Sequence, residues 1–260
     1  CYSNMANSYS QMRQYDKATS NYIKAIEYHS TRRFYSHQHA SCLYDFANLK
    51  LEMGDTFSAI QKFELSLSIA DSLKHIHLTP NNILKLTKLS ILKQDFKKAK
   101  EYLSMGDSII LNGQNTKLKA KYFIINSLLV KNRDNNYPEA ESNLKRALSL
   151  SKFIKAKRIQ KEVLNSLINL YENQGNYKLA LLTSKKLEKV NSSLVEEYEK
   201  SIEALDDSTN EITADNSSLE NNDFSDANCS LSFSVGYAHK PKLNLAVNLS
   251  SSANFFHVLC

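Results

Sequence analysis

The sequence predicts an all-α protein built as an array of repeated helical hairpins, and three observations carry that prediction. Only five glycines and three prolines interrupt 260 residues, so long helices meet few breakers. The stretch Leu164 to Leu187, LNSLINLYENQGNYKLALLTSKKL, sets Leu164, Leu167, Ile168 and Tyr171 at helical spacings of three and four. It breaks at Gln174-Gly175-Asn176, where Gly175 suits a left-handed stop and Asn176 the N-cap of a second helix carrying Tyr177, Ala180 and Ser184. The alanine then proves periodic: Ala18, Ala59, Ala99, Ala140 and Ala180 stand 41, 40, 41 and 40 residues apart. Two helices of a hairpin approach closely only where one side chain is small, and a hairpin that cannot bury its own apolar face must stack on a copy of itself.

Each copy repeats the surroundings of its alanine. Tyr15, Phe96, Tyr137 and Tyr177 lie three residues before it, while the second copy has Thr56 there beside Phe57. Asp55, Asp95, Asn136 and Asn176 stand four before it as helix caps, and the first copy has Gln14. The hairpins are expected over residues 1–12 with 15–30, 34–53 with 56–73, a helix opening at Thr79-Pro80 with 96–110, 116–132 with 137–152, and 155–174 with 177–190. Ser193 to Glu196 reads as a capping box that starts a further, capping helix, with Leu194, Tyr198, Ile202 and Leu205 as its apolar stripe. The array with its cap is expected to occupy residues 1–205 and an acidic Ser/Asn-rich tail residues 206–260. The tail lacks apolar periodicity at first and reads as disordered. Cys229 to Ser252 then alternates apolar and polar residues around His239-Lys240-Pro241-Lys242, which suggests a short β-hairpin.

The first copy, YSNMANSYSQMRQYDKATSNYIKAI, resembles a tetratricopeptide repeat (TPR). Tyr2, Met5, Ala6 and Tyr9 fill that motif's first-helix positions, and Ala18, Tyr22 and Ala25 its second. Leu43, Phe46, Ala47, Gly54, Ala59 and Phe63 do so in the second copy, Ile83, Leu86, Ala99 and Leu103 in the third, and Tyr122, Ile125, Leu129, Ala140 and Ala147 in the fourth. The fourth copy needs extra residues in its turn, KNRDNN. Two departures stand out: a period near 40 where the family's is about 34, and Arg13 and Gln94 where the motif favours glycine. The resemblance is to long-repeat members of the family and implies a right-handed superhelical array with a concave groove that takes a peptide or protein segment.

Composition excludes several other classes. The longest apolar run, Tyr122 to Val130, is too short to span a bilayer. No signal-peptide pattern is visible, which favours the cytoplasm. The first residue is Cys1 and not Met, so the chain is expected to be a piece of a longer or processed protein. The four cysteines show no metal-ligand spacing. Two histidine pairs, His37/His39 and His75/His77, are two residues apart and so point to opposite sides of a helix. With no phosphate loop, nucleophile elbow or HExxH motif either, no enzyme, no metal and no cofactor are expected.

The candidate binding residues follow from the repeat register. Asn7, Asn48 and Asn169 share one first-helix position, and Asn4 and Asn165 another on the same face. On the concave surface their amides would suit the backbone of an extended peptide; on a solvated face they would do nothing in particular. Tyr44 is placed with them. In the third and fourth copies Lys85, Lys88 and Lys131 join Leu84, Ile91, Phe123 and Val130 in a basic, partly apolar surface. Residues 1–200 hold 31 basic and 19 acidic residues, a net +12, whereas residues 201–260 hold eight acids and two lysines. An acidic partner is favoured and nucleic acid is not, since no recognition helix or aromatic-basic motif accompanies the charge. The carboxylate clamp of chaperone-binding family members maps to Ser3, Asn7, Asp45, Asn81 and Lys85, where Asp45 would repel a carboxylate. The expected function is therefore a non-enzymatic protein- or peptide-binding scaffold. The alternative is the ligand-sensing domain of a bacterial transcription regulator or sensor kinase. The acidic segment Asp206 to Asp226 reads first as a solubilising tail that touches nothing and second, being complementary to the lysines, as a weak and transient competitor for the groove.

Overall fold

A computed structural model describes residues 2–31 and 36–219. Ten α-helices and no strand are found among them, in chain order α1 (Tyr2–Gln11), α2 (Tyr15–Ser30), α3 (His37–Glu52), α4 (Thr56–Ser72), α5 (Leu78–Leu92), α6 (Phe96–Leu111), α7 (Thr116–Asp134), α8 (Tyr137–Phe153), α9 (Lys157–Asn173) and α10 (Tyr177–Leu219). They pair as five hairpins, each odd-numbered helix with the even one after it.

Six of the helix starts are fixed by a side-chain cap, whereas α2, α5 and α9 have none. Ser36, Asp55, Asp95, Asn115, Asn136 and Asn176 each accept a hydrogen bond from the backbone N–H three residues on. The stops inside the hairpins are equally regular. Arg13, Gly54, Gln94, Asn135 and Gly175 all hold left-handed φ values, of 57°, 82°, 61°, 50° and 68°. Each is the residue that lets the chain leave one helix and enter the next. The fourth turn is no longer than the others: Lys131 to Asp134, expected in the turn, form the last turn of α7, and Asn135 makes the reversal.

Packing follows the alanines. Ala18, Ala59, Ala99 and Ala140 are fully buried and Ala180 nearly so. Around each of the first four lies a cluster that takes residues from the following hairpin: Phe46 of α3 joins Ala18 and Tyr22, Ile83 and Leu86 of α5 join Ala59 and Phe63. Leu118 and Tyr122 of α7 join Ala99, and Ile159 and Val163 of α9 join Ala140. Each apolar stripe is thus buried against its neighbour, which is why a single hairpin would not suffice.

The C-terminal part differs from expectation. No break falls at Ser193, and α10 continues to Leu219. Ser193 does not act as a cap: its carbonyl and hydroxyl accept hydrogen bonds from Lys157 Nζ, which also pairs with Glu197 at 2.7 Å. With no Gly or Pro from Tyr177 to Leu219, helix propagation adds one bond per residue. It continues through positions 206–219, expected to be disordered. The chain divides into compact units at residues 1–198 and 199–260, of which the first holds the array. The acidic residues past Leu219 and the expected β-hairpin around His239 to Lys242 lie outside the described residues.

Candidate binding groove

Helices α3, α5, α7 and α9 present one face each to a hollow of about 560 Å³. Its floor is apolar, with Leu84, Ile124, Leu144 and Leu170 buried and Ile125 and Leu128 half-buried. Lys85, Lys88, Lys121 and Lys131 stand around that floor, with Glu162 as the one acid. Asn81, Asn165, Ser166 and Asn169 supply uncharged polar groups, and Tyr44 joins from α3, where its ring meets Phe63 edge-on.

The electrostatics are those of crowded, partly dehydrated cations. Burial, then Lys88 and Lys121, holds the Lys85 ammonium below the usual lysine range, against the weaker pull of Glu52 and Glu162. Lys121 is lowered by burial and by Lys117, and Lys131 by burial. Among the described residues none of these four lysines forms an ion pair, and Lys131 Nζ donates to Asn169 Oδ1 at 2.7 Å. Clustered cations over an apolar surface bind best what brings negative charge and apolar area together.

Six expected residues meet at this hollow: Tyr44, Lys85, Lys88, Lys131, Asn165 and Asn169. Four do not line it. Asn4 is exposed on α1. Asn7 is part of the scaffold, accepting from Tyr22 Oη and donating to Asp45 Oδ2 at 3.5 Å, so that α1, α2 and α3 are tied together. Burial raises Asp45, partly opposed by the Asn7 hydrogen bond. Asn48 donates to the Tyr44 carbonyl of its own helix at 2.9 Å. Phe123 packs into the core beside Tyr122, with the Arg146 guanidinium 5.6 Å from its ring centre. Ile91 and Val130, expected on the basic surface, are buried. Lys121, Ile124, Leu128 and Glu162 were not anticipated. The signal was present, since Lys121, Ile124, Leu128 and Lys131 repeat at three and four along α7, as do Glu162, Ser166 and Asn169 along α9.

The histidines meet across helices, and His75 and His77, which lie between α4 and α5 and not on a helix, also meet edge-on at 6.5 Å. His37 lies edge-on to His75, with ring centres 4.9 Å apart, and His39 stacks on His29 at 5.7 Å. Burial, then His29, lowers His39. Among the described residues no group of three or more His, Cys, Asp or Glu could hold a metal ion, and no helix is long and apolar enough to cross a membrane.

No protein-family model matches the chain, and no curated protein matches it. Solved structures do. The chain is similar to BtubC (BKLC) from P. vanneervenii, with a TM-score of 0.63 at 15% identity over 74% of this chain and 79% of that one. It is similar to a form of the Podosopora anserina putative kinesin light chain with nearly identical TPR-like repeats, with a TM-score of 0.60 at 12% identity over 75% and 95%. A Rap protein complexed with Competence and Sporulation Factor gives a TM-score of 0.57 at 17% identity over 75% of this chain and 53% of its own, so the chain spans about half of it. These likenesses show a TPR-like fold, an all-α array of stacked hairpins.

Proposed function

We propose that the chain is a non-enzymatic binding module that holds an acidic segment of a partner protein in the groove of α3, α5, α7 and α9. The observation that carries this reading is the cluster of Lys85, Lys88, Lys121 and Lys131 over an apolar floor, four cations facing one acid, Glu162, and in no ion pair among the described residues. Lone surface lysines turn their ammonium groups to water, whereas burial lowers three of these four. Such an arrangement costs stability in the free protein and is offset when a carboxylate enters. The likeness to a Rap protein complexed with a factor supports a ligand-holding role for this fold. That likeness also favours the second reading, a ligand-sensing regulatory module using the same groove.

Fluorescence anisotropy of a labelled acidic peptide against its charge-reversed counterpart tests the proposal. Binding of the acidic peptide alone, weakened by salt and by Lys121→Gln, is the expected result. Equal binding of the two peptides would sink it.

A further inference from the structure

Lys85 and Lys88 line two hollows, not one. The second, of about 490 Å³, opens beside the groove and is lined by Leu51, Leu89 and Leu92 together with Lys85, Lys88 and Lys93. Leu92 is 66% exposed, an apolar side chain of α5 without cover. The two lysines therefore form a charged wall between two apolar hollows, one floored by Leu84 and its neighbours on α7, the other by Leu89 and Leu92.

The wall and both floors share helix α5, so their spacing follows from helix geometry. Leu84 and Leu92 are separated by eight residues, or about 12 Å along the axis at about 1.5 Å per residue. Lys85 and Lys88 fall between them. An extended chain rises about 3.3 Å per residue, so residues i and i+4 are about 13 Å apart, and i, i+2 and i+4 point to the same side.

We propose that the groove reads an extended segment of a partner protein with the pattern apolar–x–acidic–x–apolar. One apolar side chain enters each hollow, and the carboxylate between them meets Lys85 and Lys88. This rests on the acidic-segment reading above and adds a register to it. Charge alone does not supply the pattern: between Asp206 and Asp226 no acidic residue of the chain's own tail has an apolar residue both two before and two after it. The tail is therefore a poor match despite its charge, and the occupant the proposal takes is a segment of a partner protein.

The test uses the full chain and short labelled peptides on a serine–glycine background. One carries Leu-Ser-Glu-Ser-Leu; its isomer, Leu-Leu-Ser-Glu-Ser, has the same composition with the pattern broken. The patterned peptide is expected to bind at least about tenfold more tightly, the contribution of one seated leucine. Leu92→Ser, at an exposed position, should remove most of that preference, and Lys88→Gln should weaken both peptides. Equal affinity for the isomers, or a preference untouched by Leu92→Ser, overturns the pattern while sensitivity to Lys88→Gln keeps the acidic groove. Absence of binding by either peptide, or binding indifferent to Lys88→Gln, overturns both.

Discussion

The five hairpin turns are one experiment repeated at different residues. All five reversals use a left-handed residue, but glycine fills only two, Gly54 and Gly175, while Arg13, Gln94 and Asn135 fill the rest. For an L-residue that conformation costs about 1–2 kcal/mol. Glycine escapes this cost but loses more freedom on folding, by about 0.5–1 kcal/mol. The net gain from Gln94→Gly or Arg13→Gly is therefore about 0.5–1 kcal/mol. Both side chains are exposed and take part in no side-chain hydrogen bond among the described residues, so the backbone contribution stands almost alone. The reverse changes, Gly54→Ala and Gly175→Ala, should cost a similar amount, because a Cβ at either position meets no atom within 4 Å. Asn135→Gly should give less, since asparagine tolerates this region better than most. Urea denaturation followed by helical circular dichroism measures the series, read as midpoint shifts because repeat arrays need not unfold in one step. Destabilisation by Gln94→Gly together with a neutral Gly54→Ala would refute the reasoning.

Three other perturbations test different layers of the structure. Ser66 Oγ donates to the Ala40 carbonyl at 2.8 Å and accepts from Asn82 Nδ2 at 2.9 Å, joining α3, α4 and α5; Ser66→Ala should cost about 1–2 kcal/mol in denaturation, and Asn82→Leu less, because it removes the buried amide with its demand for partners. Ala140→Leu puts a large side chain at a fully buried helix contact and should cost about 2–3 kcal/mol, whereas Phe57→Ser, at 68% exposure, should shift the same curve by no more than about 0.5 kcal/mol. Lys85→Met keeps the apolar stem and removes the charge. Because Lys85 is lowered in the folded chain, its contribution is fully present only above the unfolded lysine value, about 10.4, and is lost as pH falls through the folded one. The variant should therefore melt higher than the parent at neutral pH, lose that advantage as pH rises into the lysine range, and bind acidic peptide more weakly; a lower melting temperature at neutral pH would contradict the assignment.

Much of the fold was legible because it depends on periodic small residues. The alanine interval fixed the hairpin count, and the same alanines are the buried contacts. Even the places where glycine is missing were visible, and Arg13 and Gln94 take up the left-handed turn regardless. The end of the array was less legible. Ser193 to Glu196 has the chemistry of a cap, but a serine caps only when its hydroxyl is free to turn back, and here Lys157 engages it.

At the hollow, Lys85, Lys88, Lys131 and Tyr44 were expected, Lys121 was missed, and Phe123 was put on the wrong face. A repeat register says which residues share a helix face; it does not say how far that face is turned toward the next hairpin. Phe123 and Val130 were assigned to the concave surface on that basis and fall in the core, while Lys121 and Ile124 of the same helix line the hollow. Asn7 was misread for another reason. Its amide satisfies the buried Tyr22 hydroxyl, whose ionisation burial pushes far up, and a contact between α1 and α2 cannot be deduced from either helix alone.

The most direct test of an acidic-ligand groove is to ask which amines a ligand covers. Brief acylation of the full chain with an amine-reactive reagent, with and without saturating acidic peptide, can be read lysine by lysine from peptide masses. The account predicts protection of Lys85, Lys88, Lys121 and Lys131, with Lys152, Lys155, Lys185 and Lys186, exposed on other parts of the array, labelled equally in both samples. Unchanged labelling of the four groove lysines in the presence of bound peptide, or protection confined to the others, would contradict it.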